Sequence, residues 1–217
     1  MVQIQVPDTT LESAHWSHGL TLVAGVDEVG RGCLAGPVVA AACILPANVV
    51  EIAGVRDSKT LSGSRRRELV AEIRRCAVMT AIAAASRREI DQFNIRVATT
   101  LAMRRALNRL GPWHHAIIDG PLMPEFRDGP FSGVIDGDAI CLSVACASIL
   151  AKEARDSLMR RLACRHPEYD WDHNVGYGTA NHLDALRRCG PTPHHRRTFR
   201  PVRELIESGQ LTPDATG

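Results

Sequence analysis

Two adjacent carboxylates, Asp27 and Glu28, stand at the end of a short apolar run and lead directly into Val29-Gly30-Arg31-Gly32. Carboxylates at the end of a buried strand cost free energy unless something positive neutralises them. A hard divalent cation does so, because Mg²⁺ takes oxygen ligands and binds through one or two carboxylates together with substrate phosphates. Adjacent strand residues leave on opposite faces, so both acids serve one site only if the strand ends or twists between them, which the glycines allow. The bland reading is a solvent-exposed strand end with two surface acids. A second acid, Asp119, also closes a short apolar run and is followed by Gly120. Acids at strand ends of a helix-covered sheet converge on one side, so Asp27 and Asp119 are expected co-ligands. Asp138, in Asp136-Gly137-Asp138 ahead of a long helical pattern, would complete a four-carboxylate cluster or cap that helix. Asp156 ranks lower, since it lies off the apolar stripe of that helix and has Lys152 one turn earlier to pair with.

Such a cluster supports phosphoryl transfer with two ions, one activating a water and the other stabilising the leaving oxygen, and no histidine base is needed. Other chemistries are poorly served. No H-E-x-x-H pattern occurs among the nine histidines, and there is no G-x-x-x-x-G-K-[ST] loop. Gly30, Gly32 and Gly36 fall one residue away from the dinucleotide fingerprint, and the acids before them would repel a pyrophosphate.

The elements that must position these acids follow from periodicity. Thr21 to Asp27 and Pro37 to Leu45 are β-branched or apolar runs joined by a glycine-rich turn, the pattern of a hairpin of buried strands. Ser64 to Arg75 reads as a helix capped by Ser64, and Val78 to Ala84 as a third strand. Ile90, Phe93, Val97 and Leu101 mark one stripe of a helix that ends near Gly111-Pro112. His115 to Asp119 and Phe131 to Asp136 are further strands. Val144, Ala147, Ala151, Ala154, Leu158 and Leu162 stripe a long helix, and a short one spans Ala180 to Arg188. Antiparallel strands first and alternating helices and strands later predict an α/β fold, a mixed sheet covered by helices. We expect a catalytic domain over 20–165, a small helical C-terminal cap over 166–203 that contacts substrate, and peripheral tails at 1–19 and 204–217.

The 217 residues bury an ordinary core, and 45% hydrophobic with 23% charged residues excludes disordered and fibrous classes. The uncharged stretch from Gly32 to Val50 is long enough to span a bilayer, but its prolines, glycines and central β-branched residues make it a buried strand with turns. Seven cysteines without a C-x-x-C pair point away from disulfides and towards a reducing cytoplasm, and the N-terminus lacks the pattern of a signal peptide. A monomer with no membrane contact is expected. Net charge is only +2, yet six arginines and two histidines with no acid lie between Ala185 and Arg203. This cluster is expected to hold phosphates, whereas the internal arginine pairs read as solvated helix faces.

Five ordered blocks resemble one family, type 2 ribonuclease H (ribonuclease HII). Asp27-Glu28-Val29-Gly30-Arg31-Gly32 is similar to its D-E-x-G-R-G signature. Ala35-Gly36-Pro37-Val38-Val39, Asp57-Ser58-Lys59-Thr60-Leu61-Ser62, Ala147-Ser148-Ile149-Leu150-Ala151-Lys152 and Gly176-Tyr177-Gly178-Thr179 match later segments. The resemblance runs from about residue 21 to 203, and the His194-to-Phe199 ending also fits. It implies a ribonuclease H-like fold and metal-binding carboxylates at Asp27, Glu28, Asp119 and Asp138, loaded with Mg²⁺ or Mn²⁺. It also implies that the backbone of Gly30, Arg31 and Gly32 reads a ribose 2′-hydroxyl, the atom that separates RNA from DNA. Tyr177, which by itself reads as a packing aromatic, would lie against the adjoining sugar, with Lys59 and Ser148 as phosphate contacts. The implied substrates are RNA/DNA hybrids and duplex DNA carrying embedded ribonucleotides, incised on the 5′ side of the ribonucleotide. Two departures stand out. Asp136 occupies a place where the family often has lysine and so competes with Asp138 as fourth acid, and His173-Asn174-Val175-Gly176-Tyr177 is one residue longer than the commoner form.

Overall fold

A computed structural model describes residues 6–56, 58 and 61–209. The chain divides into two compact units. The first draws on Met1–Val29, Val39–Ala84 and Thr99–Ala154, and the second on Gly30–Val38, Ala85–Ala98 and Arg155–Gly217.

The first unit is built on β1 (Val23–Val29), β2 (Val38–Ile44), β3 (Met79–Ala85), β4 (His115–Asp119) and β5 (Phe131–Val134), with helices α1 (Thr10–Trp16), α2 (Gly63–Cys76) and α4 (Gly137–Ile140); of α3 (Arg87–Leu110) it holds residues 99–110 and of α5 (Leu142–Ala163) residues 142–154, the rest of both belonging to the second unit. The five strands form one sheet in the order β3-β2-β1-β4-β5. β1 pairs antiparallel with β2 and parallel with β4, and β4 runs parallel to β5, so the sheet is mixed as expected. The uncharged stretch is β2, buried at all seven positions. Among the described residues no helix is long and apolar enough to cross a membrane.

Three local expectations are corrected. Ser62, rather than Ser64, caps α2, its side chain accepting from the Arg65 N–H, because Gly63 already belongs to the helix. α3 is kinked at Asn94 (φ 67°), whose side-chain oxygen accepts from the N–H groups of Arg96 and Val97 and so caps a second helical run. The kink resets the helical phase. Ile90 is buried as expected, but Phe93 is left exposed, Val97 and Leu101 are only partly buried, and Ala98, Ala102, Met103, Ala106 and Leu107 form the buried side beyond the kink. In α5, residues 142–151 are all buried, which a single stripe does not describe. Further along, Arg155, Asp156 and Met159 are buried while Ala154, Leu158 and Leu162 are only partly so.

α5 is surrounded because it lies on the sheet and against α2, sharing a core with Ala41, Cys43 and Leu45 and with Leu69 and Ile73. Its start is held by α1. Glu12, fully buried, accepts the Ser143 N–H at 2.7 Å and the Cys141 thiol at 3.2 Å, which places a carboxylate at the positive end of the helix dipole. The close approach of α5 to β1 is set at Gly25, where a Cβ would fall 2.2 Å from the Ser143 carbonyl carbon.

The second unit adds α6 (Trp171–Asn174), α7 (Ala180–Cys189) and α8 (Arg200–Glu207). Its core joins Leu34, Ala35, Met159, Tyr169, Trp171, Leu186 and Val202.

Gly25→Ala forces backbone against backbone, so it should lower unfolding free energy by about 3 kcal/mol, the upper part of the overpacking range. A urea titration of both proteins measures this, and a loss below about 1 kcal/mol would mean that α5 retreats without cost.

Candidate active site

Backbone pairing runs from Val23 opposite His115 to Val26 opposite Ile118, and the same offset sets Asp27 across from Asp119. Residues two apart share a strand face. Gly25 touches α5, and Val23 and Ile117 share a cluster with Val144 of α5, so Asp27 and Asp119 face that helix as well. The Ser148 hydroxyl of α5 bonds to Asp27, and a Cβ on Gly137 would come within 3.1 Å of Asp119 Oδ1. Asp119 Oδ1 is itself fully buried.

β1 continues through Val29, so alternation starts Asp27 and Glu28 off on opposite faces instead of ending the strand between them. They remain linked: the Glu28 N–H donates to Asp27 Oδ1 at 2.6 Å. The Asp27 carboxyl is pushed well above the ordinary carboxylate range, first by burial and then by the charges of Glu28 and Asp119. A buried carboxyl that neighbouring acids drive towards protonation is a place where a cation is favoured.

Asp138 is buried, as the second residue of α4, and is not the helix cap. The cap position belongs to Asp136, which is exposed, left-handed (φ 54°) and makes no side-chain capping bond. Asp156 is also buried and belongs to the second unit, where its charge acts on Tyr177. Among the described residues, the one group of three or more ligand atoms within 4.8 Å of one another is Asp170, Asp172 and His173, so no three of the four expected acids lie that close together. Ser148 is buried, and its hydroxyl meets Ser58 at 2.9 Å as well as Asp27. Lys59 lies outside the described residues.

In the second unit, Gly30 has φ +92°, and a Cβ there would fall 2.1 Å from Arg155 Nε, so glycine is required twice over. Tyr177 is 44% exposed and is no packing aromatic, and a Cβ on Gly32 would lie 3.9 Å from its ring. In the longer loop before Tyr177, Val175 takes a left-handed conformation (φ 45°) that a β-branched side chain rarely adopts. Arg155 is fully buried and secures it, donating to Val175 O at 2.8 Å and to the carbonyls of Ala35 and Pro37.

The C-terminal basic cluster does not turn outward as a whole. Arg196 has no exposed surface and donates to the carbonyls of Gly30, Arg31 and Gly36, and burial lowers its pKa to about 10. Arg188, Arg200 and Arg203 pair with acids one turn away on their own helices. His195 is likewise buried. Its Nδ1 accepts the Thr192 N–H, so its Nε2 carries the proton and donates to His182 Nε2 at 2.9 Å. His182 Nε2 also accepts from Trp171, which leaves His182 Nδ1 to donate to the Tyr177 carbonyl at 2.8 Å. From sequence, Arg196 and His195 belonged to a cluster expected to hold phosphates, which their burial contradicts, and Arg155 and His182 were given no role.

A mixed five-stranded sheet with acids facing one another on its parallel strands β1 and β4 is a ribonuclease H-like architecture, and solved structures agree. Ribonuclease H2 from Pyrococcus horikoshii superposes with a TM-score of 0.73 at 24% identity, over 88% of this chain and 99% of that one. A chain of the PCNA:RNase HII complex from Archaeoglobus fulgidus does so at 0.65 and 26% identity, over 88% and 90%. The family model for ribonuclease HII matches residues 24–202. Ribonuclease HII of Thermosynechococcus vestitus is 53% identical over 200 residues, 91% of either chain, and that of Cereibacter sphaeroides 49% over 207 residues, 94% of this chain and 96% of its own. The chain belongs to the ribonuclease HII family, and it is a ribonuclease H, a metal-dependent endonuclease acting on nucleic acid.

His195 gives a pH prediction. Burial and the neighbouring His182, His166 and His194 lower its pKa to about 3, whereas in the unfolded chain it takes a proton near the usual value of 6.5. Between those values the unfolded state binds the extra proton, so stability falls as pH drops below 6.5, by up to about 1.4 kcal/mol per pH unit. Urea midpoints between pH 7 and pH 5 should fall less steeply in His195→Asn than in the parent. Equal slopes would show that His195 does not stay neutral in the fold.

Proposed function

We propose that this ribonuclease H hydrolyses the RNA strand of RNA/DNA hybrids and incises duplex DNA on the 5′ side of embedded ribonucleotides, leaving a 5′-phosphate and a 3′-hydroxyl. Asp27, Glu28, Asp119 and Asp138 would hold a pair of divalent cations, Mg²⁺ or Mn²⁺. The donor set suits them, being all carboxylate oxygen with neither thiolate nor imidazole. When bound, the cations supply an activated water and charge for the leaving oxygen. The observation that carries the reading is Asp27, buried across from Asp119 and under pressure to neutralise its charge.

The residues of the chain divide the remaining work. Ser148 and the Glu28 N–H fix the orientation of the Asp27 carboxylate. The backbone of Gly30, Arg31 and Gly32 meets the ribose 2′-hydroxyl, and the exposed Tyr177 ring packs on the neighbouring deoxyribose. Lys59 contacts a phosphate, and residues 166–203 act as the cap that brings Tyr177 to the substrate. Seven free cysteines suit a reducing compartment, so we place the enzyme in the cytoplasm, acting as a monomer.

Matched duplexes with zero, one and several ribonucleotides, assayed in Mg²⁺ and in EDTA, test the reading; cleavage confined to ribonucleotide positions and abolished by EDTA is expected. Asp27→Asn should lower kcat/KM on the singly substituted duplex by about a thousandfold or more. Folded Asp27→Asn that still cleaves in Mg²⁺ would sink the assignment. Tyr177→Ala should spare metal binding and lower cleavage at an isolated ribonucleotide about tenfold. Unchanged activity there would remove Tyr177 from the site.

A further inference from the structure

Glycines on either side of Arg31 give the Gly30-Arg31-Gly32 turn no stiffness of its own, so something else must fix its peptide groups. Arg196 lies against the turn with no exposed surface. Its Nη2 donates to Gly30 O at 2.6 Å, its Nη1 to Arg31 O at 2.7 Å and its Nε to Gly36 O at 3.0 Å. The backbone delivers it there: Arg196 N donates to Leu34 O at 2.8 Å, Gly36 N donates to His194 O at 3.0 Å, and Ala35 bridges His195. A trans peptide is planar, and its C=O and the following N–H point in opposite directions. With the carbonyls of Gly30 and Arg31 drawn onto Arg196, the N–H groups of Arg31 and Gly32 are turned to the other side. Gly32 is there the neighbour of the Tyr177 ring.

We propose that Arg196 is the positioning residue that sets ribose discrimination: by gripping the carbonyls of Gly30, Arg31 and Gly36 it holds the N–H groups of Arg31 and Gly32 towards a 2′-hydroxyl oxygen. This rests on the turn being the ribose reader. The guanidinium is a rigid planar fork, and a lysine ammonium cannot span the same three carbonyls in one geometry. The grip has a second anchor, since Asp91 accepts the N–H groups of Arg197 and Thr198 at 3.2 and 3.0 Å and the Thr198 hydroxyl at 2.8 Å.

The test compares the full-length protein with Arg196→Lys. Affinity for an all-DNA duplex and for the same duplex with one ribonucleotide is measured by fluorescence anisotropy, with Ca²⁺ in place of Mg²⁺; kcat and KM on the second duplex are measured in Mg²⁺. Arg196→Lys should lose about tenfold of the preference for the ribonucleotide duplex, seen also as a raised KM, with all-DNA affinity unchanged. A folded variant that keeps the preference, or loses affinity equally for both duplexes as a loosened fold would, overturns the proposal. Should Arg196→Lys not fold, Asp91→Ala decides. It releases the anchor, together with the 3.4 Å pair to Arg87, and should cost about threefold of the preference, and an unchanged ratio overturns the proposal. A parent protein with no preference removes the turn as ribose reader and this inference with it. A preference retained by the variants removes only Arg196.

Discussion

Like charges on neighbouring strands set the terms for the first unit. Strands lie about 4.8 Å apart, and two carboxylates at that separation repel by about 3 kcal/mol at an effective dielectric near 20. The charge of Glu28, next along β1, and that of Asp119 add to the cost of burying Asp27, and the carboxyl answers by moving towards its neutral form. The fold does not relieve this by opening. β1 and β4 are locked in register, α5 is drawn onto β1 at Gly25, and Glu12 fixes the start of α5. A sheet that rigid keeps the acids together at a standing electrostatic cost, and a cation removes it. The same rigidity that makes the carboxylates unfavourable alone makes them favourable as ligands, because no reorganisation is needed when charge arrives.

The second unit handles the opposite problem. Arg155 and Arg196 are buried cations, and their hydrogen-bond partners are backbone carbonyls in the segments 30–37 and 175. A guanidinium offers five donors in a fixed plane, so one side chain ties several carbonyls that would otherwise need a strand or helix to satisfy them. Irregular, glycine-rich chain is thereby held as firmly as a sheet. The histidine relay does the same for one more carbonyl, that of Tyr177, and its neutral state follows from burial.

The sequence made the strands, the mixed sheet and the acids late in β1 and at the end of β4 legible, because a charge closing an apolar run departs from its own pattern. It exposed α5 for the same reason, as sustained periodicity. It could not reveal the kink of α3, since Asn94 is an ordinary residue until its side chain caps the run after it. Arg196 sits in a run of arginines that composition alone assigns to the surface, and its partners are carbonyls, which leave no mark on a sequence. Glu12 was hidden in a segment without periodicity, and the value of its carboxylate depends on a helix that begins 130 residues later.

A recognition element made of main chain has a consequence for how specificity can vary. Side-chain readers change when the side chain changes, but a turn that meets its target through N–H and C=O groups offers no such position: replacing Gly30 puts a Cβ into Arg155, and Arg31 already sends its own side chain to solvent. The orientation of the peptide groups is then the only adjustable quantity, and it is set from the buried side by whatever the carbonyls grip. Preorganised donors gain over flexible ones because their ordering cost is met during folding and not during binding. In this chain that ordering is concentrated in a few charged, buried hydrogen bonds, each stronger than a neutral one. On the proposed reading of the turn, discrimination between sugars is governed by residues that a substrate need never touch.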